Sequence, residues 1–140
     1  MSLYKLLESG YGDIEDLNCA EKILYGANKV YNLGLDKNAL KLSAGFGGGM
    51  GIESVCGALT ASIMVLSYLF VENVAHESTR IKNLSRELFD RYEKKMGYID
   101  CTPLKYDYRT EIEGCHWVIL EAAKILDEII AENTNIEKVR

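Results

Sequence analysis

Proline is nearly absent: the 140-residue chain has one, Pro103. Little therefore interrupts its long periodic segments, and these point to helices. Clusters of basic charge are also missing. The net charge is −5 and the basic residues are dispersed, apart from Lys94-Lys95, which argues against a nucleic-acid partner. There is no Cys-x-x-Cys, so neither a thioredoxin-like motif nor a zinc ribbon has support. There is no Cys-x-x-Cys-His, which argues against covalent haem. Gly-Lys-Ser/Thr is absent, so the glycine-rich stretch is not a P-loop, and no Gly-x-Gly-x-x-Gly follows a strand. The start, Met1-Ser2-Leu3-Tyr4-Lys5, places no basic patch ahead of a long apolar core. The expectation is a cytoplasmic, reducing compartment, in which four cysteines act as free thiols, metal ligands or catalytic groups.

What is present is a glycine loop running into the most apolar segment of the chain. Five glycines lie between positions 45 and 51, and Val55 to Val71 carries no charge. That run has 17 residues but contains Gly57, Thr60, Ser62 and Ser67 and lacks basic flanks. It reads as a buried core helix rather than a membrane span. The length and a 48% apolar composition suit one domain over 1–140 with a substantial core. The expected fold is all-α: about five helices around a central apolar helix, residues 52–71.

Residues 1–14 read as a short helical or irregular lead-in, with a turn at Tyr11-Gly12-Asp13. Asn18 and Glu21 have capping-box spacing, and Ala20, Ile23, Leu24, Ala27, Val30 and Tyr31 repeat at helical period up to a stop at Gly34. Asp36 caps a short second helix from Lys37 to about Ala44. A fourth helix, His76 to Met96, ends at Gly97. Tyr98 to Arg109 reads as a loop in which Pro103 makes a stiff corner after Cys101. Thr110 and Glu113 predict the cap of a fifth helix reaching about Glu132, followed by a fraying polar tail from Asn133.

Three cysteines, Cys19, Cys56 and Cys115, thus fall in the opening turns of helices. Unpaired N–H groups and the positive end of the helix dipole favour a thiolate there, which is both nucleophile and metal ligand. The alternative is a small hydrophobe packed in a core. The glycines Gly47, Gly48, Gly49, Gly51 and Gly57 are candidate cofactor contacts. They could hold an anion at the third helix's start, or bring backbones close beside Cys56. Glu53 complements the same helix start. His116 points about 100° away from Cys115 on a helix and suits a rim position. Tyr98, Tyr106 and Tyr108 flank Cys101 as a wall or partner surface.

The cysteines lie 37, 45 and 14 positions apart, matching no local metal or redox signature. Yet Cys19, then Cys56-Gly57-Ala58 behind Gly47-Gly48-Gly49-Met50-Gly51, then Cys101 and Cys115 resemble the C-GCAxxG-C-C family of redox-active proteins. The likeness covers nearly the whole chain. Ala61 stands where the motif has its last glycine and keeps a small side chain. The resemblance implies redox chemistry at Cys19, Cys56, Cys101 and Cys115, by a reversible disulfide or a bound iron–sulfur cluster. Three readings follow. The chain is a thiol–disulfide oxidoreductase or electron carrier with a redox partner. Or all four cysteines ligate an iron–sulfur cluster or zinc. Or the chain is a helical interaction module with structural cysteines. A homodimer is a further expectation, since five helices need not cover so apolar a third helix.

Overall fold

A computed structural model describes the backbone of residues 2–139 and side chains up to residue 134. The described residues form seven α-helices and no β-sheet: α1 Leu3–Glu8, α2 Cys19–Val30, α3 Lys37–Leu40, α4 Gly57–Phe70, α5 Arg80–Met96, α6 Cys101–Tyr108 and α7 His116–Val139. The all-α expectation holds, with two more helices than the periodicity suggested.

Helix α4 is the centre. Ala58, Leu59, Ala61, Ser62, Val65 and Leu66 are all without exposed surface. Small residues on this helix let α2 lie closely along it, while α5 and α7 cover its other sides. Ser62, buried in this apolar setting, donates its hydroxyl to the Ala58 carbonyl at 2.7 Å, so no polar group is stranded. Tyr92 of α5, fully buried, donates to the Val118 carbonyl of α7 at 3.0 Å. Asp127 of α7 accepts the Leu3 and Tyr4 amides and the Tyr31 hydroxyl, which ties α1 and the end of α2 to the bundle. None of the described helices is long and apolar enough to cross a membrane.

Several boundaries differ from the sequence reading, each for a local reason. The central helix begins at Gly57 rather than Ile52. Gly48, Gly49, Met50 and Gly51 all have φ between 63° and 73°, a left-handed turn, and Glu53 has φ 55°. A right-handed helix cannot start until that run ends. The second helix gives way at Lys41 to a tighter 3₁₀ segment, Lys41–Phe46. Ala75–Glu77 forms a separate 3₁₀ turn ahead of α5, closed by Glu77 accepting the Glu72, Asn73 and Val74 amides. The lead-in takes the helical one of its two expected forms, over Leu3–Glu8, capped by Ser2. The last helix continues through Val139 where a polar tail was expected.

The largest correction is 98–109, which is not a loop: α6 occupies most of it. Pro103 is its third residue, where no intrahelical partner waits for the missing N–H. Thr110 does receive the Glu113 amide at 2.9 Å, as a cap would. The chain then closes into a turn, with Thr110 and Gly114 paired and Gly114 at φ 58°, so α7 starts only at His116.

Candidate functional site

These corrections change where the cysteines stand. Cys19 is the first residue of α2 and Cys101 the first of α6. Cys56 is the N-cap of α4. Cys115 directly precedes α7, and its carbonyl accepts the Ile119 amide at 3.0 Å, the first bond of that helix. All four cysteines therefore sit at helix starts, including the one expected in a loop. The four starts converge: Cys19, Cys56, Cys101 and Cys115 line one cavity of about 380 Å³.

Three devices hold the sulfurs there. Cys56 and Cys101 are joined by a short antiparallel pairing centred on Val55 and Asp100. The Cys56 amide donates to the Ile99 carbonyl at 2.8 Å and the Cys101 amide to the Ser54 carbonyl at 2.6 Å. Alternation along paired strands puts both thiols on the side opposite Val55 and Asp100. Second, the Asn18–Glu21 capping box fixes the start of α2, and Asn18 also donates to the Ala44 carbonyl at 2.9 Å. Third, Glu53, reversed in direction by its left-handed backbone, pairs with Lys105 at 2.9 Å. That role replaces the dipole pairing expected of Glu53, and it clamps α6 to the glycine turn.

The glycines act by close approach. A Cβ on Gly57 would stand 2.5 Å from the Phe46 carbonyl oxygen and 2.7 Å from the Cys19 sulfur. Cys19 therefore lies against the residue that follows Cys56. A Cβ on Gly49 would stand 2.5 Å from the Ser54 amide nitrogen and 3.0 Å from Cβ of Cys101. A Cβ on Gly47 would collide with the Asn18 side chain. Gly48 and Gly57 line the cavity; Gly47, Gly49 and Gly51 do not, and a Cβ on Gly51 would meet open space. Gly57 and Gly49 thus let the Phe46 and Ser54 backbones pass beside Cys19 and Cys101, and Gly47 leaves room for the Asn18 side chain.

Burial decides the proton state of the deepest thiol. Cys56 is 4% exposed, and loss of water pushes its pKa up to about 12, with the neighbouring Cys19 thiol adding to the rise. The Ala58 and Leu59 amides at the start of α4 pull the other way and are outweighed. A helix start does not by itself make this sulfur a thiolate, contrary to the expectation from position. Cys101 is raised as well, chiefly by burial, with Lys105 opposing. Cys19 and Cys115 are more open.

Five charged side chains and one histidine that the motif does not mark also line the cavity. Lys22, Lys105 and Arg109 line it, with His116, Asp16 and Glu113. Arg109 donates to the Cys115 sulfur at 3.8 Å. Sequence reasoning passed over Arg109 because it fell at the end of an apparent loop, six positions before the cysteine. The tyrosines play no part inside: Tyr106 is 90% exposed, and Tyr108 donates to the Met96 carbonyl at 2.9 Å.

The described helices thus gather four helix-start thiols around one cavity. Residues 17–129 match the family model described as "Putative redox-active protein (C_GCAxxG_C_C)", and the chain belongs to that family. The matched span takes in all four cysteines and leaves out α1. No curated protein and no solved structure matches the chain.

Proposed function

We propose that the chain is a thiol–disulfide redox protein that cycles two electrons per cysteine pair. The observation that carries this is the convergence of four thiols from four helix starts on a single cavity. The pairs favoured are Cys19 with Cys56 and Cys101 with Cys115. Cys19 lies against Gly57, next to Cys56, and influences Cys56 more strongly than Cys101 does. Cys101 in turn feels Cys115 ahead of Cys19. Each pair joins one buried sulfur to one more open sulfur. The open member meets the oxidant, and the buried member resolves the mixed disulfide as it loses its proton. The site of action is a reducing compartment, the cytoplasm, with a partner protein returning the electrons. Thiol counting on the anaerobically reduced chain tests this. Mild oxidation is expected to remove thiols two at a time, and dithiothreitol to restore them. Four thiols unchanged by oxidant would overturn the reading.

A second reading keeps the four cysteines as ligands of an iron–sulfur cluster or zinc. The donor set favours it, since four sulfurs around one cavity suit a soft metal. The spacing fits less well: among the described residues no three His, Cys, Asp or Glu side chains stand where one ion could bind them. Ligation would require the helix starts to close on the metal. Anaerobic purification with an absorption spectrum and metal analysis separates the two readings, and a colourless, metal-free sample would sink the second.

A further inference from the structure

The chain carries a net charge of −5, yet more cations than carboxylates line its thiol cavity. Three cations, Lys22, Lys105 and Arg109, face it against two carboxylates. Lys22 is held by Asp13 at 2.6 Å and Lys105 by Glu53 at 2.9 Å. Arg109 has no carboxylate partner among the described residues and instead donates to the sulfur of Cys115. Four helix starts turn the positive ends of their dipoles towards the same space. The volume, about 380 Å³, is that of a small-molecule pocket rather than a protein-sized groove.

We infer that this cavity is a substrate pocket for a small anionic disulfide, with Arg109 as its specificity-determining residue and Cys115 as the sulfur that attacks. The inference rests on the thiol–disulfide reading above. Cys115, as thiolate, attacks one sulfur of the substrate. The substrate S–S bond breaks, and the first substrate thiolate leaves and takes a proton. Cys101 then loses its proton and attacks the Cys115 sulfur of the mixed disulfide. The second substrate thiolate leaves and is protonated. The protein dithiol is oxidised to a Cys101–Cys115 disulfide, and one substrate disulfide is reduced to two thiols. Arg109 meets the substrate carboxylate and also faces the charge that moves between the sulfurs.

The charge of the whole chain and Arg109 beside Cys115 predict opposite preferences, which makes the test sharp. The reduced protein is mixed at low ionic strength with 3,3′-dithiodipropionate (a dianion), bis(2-hydroxyethyl) disulfide (neutral) or cystamine (a dication). Each oxidation rate is divided by that of N-acetylcysteinamide with the same reagent, which removes differences between the leaving thiols. The normalised rate is expected to be at least about tenfold higher for the dianion than for the dication. The preference should collapse towards equality in Arg109→Gln and in high salt, and recover in Arg109→Lys. Equal rates, a preference for cystamine, or a preference unchanged in Arg109→Gln would overturn the inference while leaving the thiol–disulfide reading in place. A redox-independent arm keeps the two apart. Suberate, the dicarba analogue of the dianion, is expected to slow alkylation of Cys115 by neutral iodoacetamide, whereas hexane-1,6-diamine is not. No protection by suberate would overturn the pocket. Protection without oxidation by any disulfide would leave an anion pocket and remove the exchange chemistry.

Discussion

Gly49→Ala is expected to destabilise the fold more than any other single methyl added to the glycine turn. Gly49 has φ 63°, a conformation that costs an L-residue about 1–2 kcal/mol. Its new Cβ would also meet the Ser54 amide nitrogen at 2.5 Å and carbonyl oxygen at 2.7 Å. Those atoms cannot yield freely, because the Ser54 carbonyl accepts the Cys101 amide at 2.6 Å. Overpacking of this kind costs about 1–3 kcal/mol, so the two effects together reach about 2–5 kcal/mol. Two controls separate them. Gly51→Ala has the left-handed strain, at φ 73°, with nothing within 4 Å of the new methyl, and is expected to lose the strain cost alone. Gly45→Ala has neither and is expected to be close to neutral. Urea denaturation of the three variants measures the series. A Gly49→Ala loss no larger than that of Gly51→Ala would mean that the Ser54–Cys101 contact does not constrain the turn.

Stability is expected to fall steeply in alkali, and Cys56 starts the loss. Its pKa rises from an ordinary 9.0 to about 12 on folding. The folded state therefore holds a proton that the unfolded chain releases from about pH 9. The stabilisation is complete below pH 9 and is lost as pH climbs to about 12. Each pH unit in that window removes about 1.4 kcal/mol, or about 4 kcal/mol in all. Cys101 acts in the same direction. Partly buried Tyr31 and buried Tyr92, whose hydroxyls are also raised above their usual range, add to the loss from about pH 10. The comparison that isolates the thiol is Cys56→Ala, in fully reduced protein. Its denaturation free energy is expected to fall less steeply than that of the native chain above pH 9, so the gap between them narrows. Parallel curves would place Cys56 in contact with water.

Much of the frame was legible because it rests on local signals. Asn18 and Glu21 form the capping box that their spacing announced, Asp36 caps Lys37–Leu40, and Gly97 ends α5 in the left-handed region. The apolar run from Val55 had to be covered, and three helices cover it. What misled was chemistry that serves two structures equally. Pro103 reads as a corner, yet it is tolerated inside the first turn of α6, where no amide is needed. Thr110 offers its oxygen to Glu113 in a turn as readily as in a helix cap. The start of α4 was placed too early because Met50 and Glu53 adopt left-handed angles that no side chain advertises.

The site was half legible. The four cysteines could be named from one sequence, since the motif and its glycines surround them. Their partners could not. Arg109 meets Cys115 only because a tight turn folds residues 110–114 back, and Glu53 reaches Lys105 across 52 positions of chain. The proton state of Cys56 was beyond reach as well. It depends on how completely Ala20, Leu59 and their neighbours exclude water, and no spacing encodes that depth.

The central claim is that four helix-start thiols form one working site, paired as Cys19–Cys56 and Cys101–Cys115. Peptide mapping by mass spectrometry, after oxidation of dilute reduced protein and quenching of free thiols, tests it most directly. The account predicts these two disulfides, both within one chain and both reversed by dithiothreitol. Disulfides that form only between chains, or free thiols throughout, would contradict it.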